Sequence, residues 1–289
     1  RRCKAKSGGR SVRIRTERGA GRMAAIVAWI SMVQVMASAE CRLMMPPAGR
    51  LREPWSFQVP AASINVVGAM LTFDDTLTLR ERAERLQAAG VFLGGPLRKF
   101  ETVGRNQLSI LLRNGLNADS KVLDVGCGCL RAGYWIMQLL QSGCYCGIEP
   151  NRDMLEAGKA VIVGPEVLES KRPRFSNNAD FDFGVFDERF DFVIARSIWT
   201  HAAPGQIETM LDQFVNTRAP GGVLLASIKE CPWYRRQYSG QAWVGKSETS
   251  EEGGIVRYHF RWIRRVCAAR GLTATRLQNE HGQVWVRIE

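Results

Sequence analysis

Along residues 70–289, apolar positions follow two rhythms that alternate. Residues 79–89 place Leu79, Ala83 and Leu86 among Arg and Glu at helical spacing, and Gly94-Gly95-Pro96 breaks the pattern. Residues 100–114 form a second helical stretch, with Gly115 as its stop. From there short apolar runs predict strands at 121–125, 144–148, 174–177, 190–195, 222–228, 272–277 and 283–288. Amphipathic stretches between them predict helices at 130–141, 152–161, 205–216 and 258–270. Strands that alternate with helices imply right-handed crossovers, hence a doubly wound α/β fold with a mostly parallel sheet and helices on both faces. Residues 229–257 interrupt the rhythm with a long, aromatic and charged stretch.

Charge changes the picture only when it is divided along the chain. The protein has 289 residues and a net charge of +12, which by itself suggests a polyanionic partner. Residues 1–69 hold 12 Lys/Arg against 3 Asp/Glu, while the other 220 residues hold 28 against 25. The excess belongs to the amino-terminal segment, so a nucleic-acid groove is not expected on the patterned part. Within that segment, residues 23–39 are apolar and end on Ala37-Ser38-Ala39 after a basic flank. Three readings of 1–69 follow. One is a disordered or non-native extension without function, favoured because helical periodicity starts only at Met70. The others are a secretory signal or membrane anchor at 23–39, and a functional arm. The first leaves a cytoplasmic protein with no membrane contact.

Eight cysteines include two C-x-C pairs, Cys127/Cys129 and Cys144/Cys146, which lack the C-x-x-C spacing of zinc ribbons. Buried or loop thiols in a reducing compartment are expected, and no metal.

The most informative local signal is Val122-Leu123-Asp124-Val125-Gly126-Cys127-Gly128, a buried strand running into Gly-x-Gly ahead of a helix. In doubly wound sheets this turn lies at the carboxyl edge, where ligands bind. Arg131 stands where a G-x-G-x-x-G dinucleotide fingerprint needs its third glycine, and no G-x-x-x-x-G-K-[ST] phosphate loop is present. Glu149 ends the next strand, 25 residues after Asp124, where a carboxylate can accept two ribose hydroxyls.

These residues resemble motif I of class I S-adenosylmethionine-dependent methyltransferases, and LDVGCGCLRAG is similar to a bacterial group reading LDVGCGxLRxG. Leu130 replaces the third glycine usual in the wider family. Further stations resemble the same family in order. They are Cys146-Gly147-Ile148-Glu149-Pro150, Asn178-Ala179-Asp180-Phe181-Asp182, the 190–201 stretch ending Arg196-Ser197-Ile198-Trp199-Thr200-His201, Pro220-Gly221-Gly222, and His281-Gly282-Gln283-Val284-Trp285. The resemblance spans about residues 100–289 and implies a seven-stranded Rossmann-like sheet that binds S-adenosylmethionine. It implies a cofactor site of Asp124, Gly126, Cys127, Gly128, Glu149, Pro150, Asp180, Phe181, Arg196 and Ser197, with Asp124 reaching the amino group and Asp180 the adenine. Residues 70–118 are then a helical cap and 119–289 the methyltransferase domain, with a substrate-side insertion at 229–257.

In-line displacement from a sulfonium carbon needs alignment and exclusion of water, and a base only if the acceptor must lose a proton. His201, just past the fourth long strand, is the candidate base; the competing reading is that it caps or orients its own loop. Trp233, Tyr234, Tyr238 and Trp243 could wall a small-molecule acceptor. Two alternatives to methyl transfer remain. A non-catalytic cofactor-binding module would bind without turnover, and a nucleotide-cofactor oxidoreductase is disfavoured by the missing fingerprint.

Overall fold

The computed structural model describes residues 71–245 and 254–289, all within one compact unit. The expectations for residues 1–69, including 23–39, and for the acidic tip at 247–253 lie outside the described residues. No helix among the described residues is long and apolar enough to cross a membrane.

Two helices precede the sheet. Helix α1 (Leu79–Ala88) starts at a capping box in which Thr78 accepts from the Glu81 amide and Glu81 reaches back to Thr78. Helix α2 is Phe100–Arg113. Then follow β1 (Val122–Val125), α3 (Gly133–Leu139), β2 (Tyr145–Ile148), α4 (Arg152–Ala157), α5 (Pro165–Lys171), β3 (Arg174–Ser176) and β4 (Phe190–Ala195). The chain closes with α6 (Pro204–Thr217), β5 (Arg218–Ile228), α7 (Phe260–Ala268), β6 (Ala274–Glu280) and β7 (Gln283–Ile288).

The seven strands run in the order β3-β2-β1-β4-β5-β7-β6. The pairs β3–β2, β2–β1, β1–β4 and β4–β5 are parallel, while β7 is antiparallel to both β5 and β6. The chain fills the sheet in one direction from β1 to β3 and then returns to the other side of β1 with β4. That reversal opens a crevice at the carboxyl ends of β1 and β4.

Alternation along each strand sends side chains to two cores. Leu123, Val193 and Leu224 share one with α6 and α7. Val122, Ile194, Leu225 and Trp285 share the other with α2 and α3. Helix α6 buries Ile207, Met210, Leu211 and Phe214 at helical spacing, each contributing roughly 1.5–3 kcal/mol of apolar burial.

Several boundaries differ from the pattern. Helix α3 begins at Gly133 because Leu130 takes a left-handed φ of 63°, which no helix can include. After Ala157 the expected single helix widens into a π turn over Gly158–Val163. There Gly158 lies so close to the Cys129 backbone that a Cβ would overlap it. Helix α5 was not expected: Val167 and Leu168 are only half-buried, so it carries no apolar stripe, although Gly164-Pro165 marks its start. Strand β5 extends back to Arg218, and β6 starts at Ala274, two residues beyond the expected position.

Candidate active site

Strand β1 delivers the chain to the crevice through Gly126 (φ 70°) and Gly128 (φ 58°), both left-handed and suited to residues without a Cβ. The Gly126 and Cys127 amides both donate to the Ile148 carbonyl, at 2.8 and 3.1 Å, tying the bend to the end of β2. A Cβ on Gly126 would overlap Ile198 Cδ1, so the loop after β4 presses on the bend. Cys127 is buried beneath it, and burial holds its thiol well above the ordinary range. Pro150 is exposed and only leads into Asn151, whose side chain caps α4 by accepting from the Met154 amide.

Asp124 lies in β1 two residues before the first glycine of the bend. Its carboxylate is buried and accepts from the Tyr145 hydroxyl at 2.8 Å. Burial pushes its pKa up to about 6, against the lowering from that hydrogen bond and from the Arg131 charge. Within the protein Asp124 also fixes Tyr145 on the neighbouring strand.

Glu149 stands as its position at the end of β2 requires. Its Oε2 accepts from the Gly128 amide at 3.0 Å and its Oε1 from the Asn151 amide at 2.9 Å. Burial raises its pKa to about 7, and the two backbone donors only partly offset this. A carboxylate has about four lone-pair positions, so these two bonds leave two free for a vicinal diol. The residues present therefore fit a nucleoside: a bend open at Gly128, and beside it a carboxylate buried but incompletely satisfied.

Beyond β3, Asp180 is exposed and Phe181, with φ 61°, packs against the core. Asp182 serves the loop itself, accepting from the Gly184 amide at 2.9 Å, which leaves Asp180 as the free acid of the pair. Phe181 lies 6.5 Å from Trp243, and the His201 ring stacks on Trp243 at 5.7 Å. Trp243 belongs to the interrupting segment, which straps across the loop after β4. The Val244 amide donates to the His201 carbonyl at 2.8 Å, and the Val256 amide to the Thr200 carbonyl at 2.9 Å. His201 Nδ1 also meets the Val244 carbonyl at 2.9 Å. Because a carbonyl only accepts, Nδ1 carries the proton and Nε2 keeps its lone pair. Burial holds the His201 pKa below its ordinary value, opposed by the Val244 and Gly254 carbonyls.

Of the other aromatic candidates, Tyr238 packs on the core and donates to the Ala242 carbonyl at 3.0 Å. Trp233 and Tyr234 are 87% and 67% exposed and face each other edge-on, away from the strap's inner side. The structure does not bring these two to the site.

Arg196 and Ser197 turn away from the bend into a polar network at the ends of β4, β5 and β7. Arg196 donates to the Gln283 side chain and to the Glu280 carbonyl, with its guanidinium 5.2 Å above Trp285. Ser197, with φ 62°, donates its amide to Ser227 Oγ at 2.8 Å, and its hydroxyl bonds Gln283. These bonds hold the loop after β4.

Several residues of the site were not singled out from sequence. Tyr145 anchors Asp124, Ile198 covers the bend, and Gln283 gathers Arg196, Ser197 and Ser227. Arg131 clamps the segment before α2 to the turn through the Leu93 and Gly94 carbonyls, at 3.3 and 3.1 Å. The only prior signal among these was the Leu-Arg pair after the glycines. Two open clefts lie at the opposite, amino-terminal edge of the sheet, around Arg218 and Gly221 and around Asn117 and Asp191, away from all these groups. Among the described residues no cluster of three His, Cys, Asp or Glu could hold a metal ion.

Residues 123–224 match a family described as a methyltransferase domain. Among solved structures, the chain is similar to magnesium protoporphyrin IX methyltransferase from Synechocystis with bound SAH, at 14% identity and a TM-score of 0.48, covering 67% of this chain and 87% of that one. It is similar to the glycopeptide N-methyltransferase MtfA complexed with sinefungin, at 15% identity and a TM-score of 0.48, covering 64% and 85%. It is also similar to DesVI from Streptomyces venezuelae, at 14% identity and a TM-score of 0.47, covering 66% and 91%. The matched span runs from inside β1 into β5 and so contains the glycine bend, Glu149, Asp180 and His201. Residues 123–224 of this chain are thus similar to a methyltransferase domain, and they lie on a seven-stranded, mostly parallel sheet.

Proposed function

We propose that the chain transfers a methyl group from S-adenosylmethionine to a small-molecule acceptor at the rim where β1, β2 and β4 end. The observation that carries this reading is Glu149, buried at the end of β2 with its oxygens only half used, beside a bend that is open at Gly128, where a Cβ would meet only Met154 at 3.9 Å. When bound there, S-adenosylmethionine supplies a methyl on a sulfonium, a leaving group already activated for in-line displacement. Glu149 would accept the ribose hydroxyls, and Gly126 and Gly128 would admit the amino-acid end. Phe181 and Trp243 offer apolar surface for the adenine, with Asp180 in reach of its edge. Asp124, Arg196 and Ser197 are positioning residues in this scheme, fixing Tyr145 and the loop after β4.

Residues 71–118 act as a cap, fastened by Arg131, and the described parts of the strap, residues 229–245 and 254–257, roof the acceptor side and exclude water. His201, held neutral with Nε2 unprotonated, is fitted to take a proton from an acceptor that must lose one. Calorimetry tests the reading. S-adenosylhomocysteine should bind with a Kd of order micromolar, Glu149→Ala should weaken it roughly 10- to 100-fold, and NAD should not bind. Tight NAD binding without S-adenosylhomocysteine binding would replace methyl transfer with the oxidoreductase reading.

A further inference from the structure

Arg196 is the first residue after β4 and Lys229 the first after β5, so the two leave adjacent parallel strands side by side at the carboxyl rim. Both converge on the tight turn between β6 and β7. Arg196 reaches the Glu280 carbonyl and the Gln283 side chain, both neutral acceptors. Its residue is only 9% exposed, and its Nε–H is buried with no acceptor. Lys229 Nζ lies 3.0 Å from where a Gly282 Cβ would stand. Among the described residues the Lys229 ammonium has no hydrogen-bond or ion-pair partner, although the residue is half-buried.

The charge of one nearby carboxylate, Glu280, bears on Arg196, but the hydrogen bonds of Glu280 and Glu230 are committed elsewhere. Glu280 accepts from Asn106 at 2.8 Å and from the Trp285 indole at 2.9 Å, while Glu230 pairs with Arg276. Burial, then Arg257 and Arg196, hold the Lys229 pKa below its ordinary value, as expected of a cation among cations. Like charges gathered where a hydrophobic fold could have used neutral residues cost stability unless an anion joins them.

We propose that the methyl acceptor bears a carboxylate, received by Lys229 with Arg196 behind it at the β6–β7 turn. This rests on the methyl-transfer reading and adds the substrate class to it. A carboxylate offers two oxygens, one for the Lys229 ammonium and one for the guanidinium edge, and both bonds are charge-assisted. The other source of the same chemistry is the cofactor's own amino-acid carboxylate, and the test separates the two.

The full chain, saturated with S-adenosylhomocysteine, is titrated by ligand-observed NMR with matched aromatic acids and primary amides, benzoate against benzamide and 4-hydroxybenzoate against 4-hydroxybenzamide. Acids should bind at least tenfold more tightly than their amides. Lys229→Met should erase the preference, Lys229→Arg should keep it, and both variants should bind S-adenosylhomocysteine within twofold of wild type. Equal affinity for acid and amide, no binding by any member of the panel, or a preference that survives Lys229→Met overturns the proposal. So does a tenfold loss of S-adenosylhomocysteine affinity in Lys229→Met, which assigns the cation to the cofactor. A wild-type chain that fails to bind S-adenosylhomocysteine overturns the methyl-transfer reading and this inference with it. One that binds it without preferring acids overturns this inference alone. Melting curves of both variants confirm folding, and Lys229→Gln replaces Lys229→Met if the latter does not fold.

Discussion

Two carboxylates in neighbouring strands are both driven toward neutrality by burial, with different consequences. Asp124, at about 6, accepts a hydrogen bond from Tyr145 inside the protein, whereas Glu149, at about 7, keeps lone pairs free at the crevice. The folded state therefore holds protons on both groups above the ordinary carboxyl values of about 4. Their contribution to stability is present in full below those values and is lost as pH rises through 6 and 7. A diol that donates to Glu149 favours the charged form, so binding should release a proton near pH 7. Affinity for S-adenosylhomocysteine should then rise by up to about tenfold per pH unit between pH 6 and 7 and level off above. Calorimetry in buffers of different ionisation enthalpy reads the proton directly. Glu149→Gln should flatten the profile, and an unchanged profile would remove Glu149 from the linkage.

At the scale of elements, the strap and the loop after β4 act as one assembly. Trp243 stands between Phe181 and His201, and the backbone bonds at Val244 and Val256 close on His201 and Thr200. Trp243→Ala should weaken S-adenosylhomocysteine roughly 3- to 30-fold through lost aromatic packing, in the range of about 0.5–2 kcal/mol. His201→Gln separates the two roles of the imidazole. If it is the base, turnover falls 10²- to 10⁴-fold and the acid limb of the pH–rate profile, placed below 6.5 by burial, disappears. If it only braces the strap, cofactor affinity falls along with the rate and the limb stays.

The central strands β1, β2 and β4 were legible because each is a buried run closed by a turn, and the site's backbone followed from them: Gly126, Gly128 and Glu149 all lie where sequence put them. The side-chain partners were not legible. Asp124 and Tyr145 stand 21 residues apart, Arg196 and Gln283 stand 87 apart, and nothing in a local pattern says that they meet. Reading Asp124 and Arg196 as ligand contacts therefore missed the distant partner that each holds within the protein.

Across the whole molecule, charge and pattern divide at the same place. The near-neutral part of the chain, from Met70 onward, contains every residue assigned to the site, and the basic excess lies before it. A chain beginning at Met70 is expected to bind S-adenosylhomocysteine within about twofold of the full protein, as measured by the same calorimetry. Loss of binding or of a cooperative melt would show that residues 1–69 are part of the working unit.

Gly158 links these scales. It rests on the Cys129 backbone without room for a methyl, so the helical segment that follows Glu149 is wedged against the bend that follows β1. Neither can shift alone. The grip on a sugar and the berth for an amino-acid tail are geared to one another, and a nucleoside lacking its tail forfeits part of its hold on both.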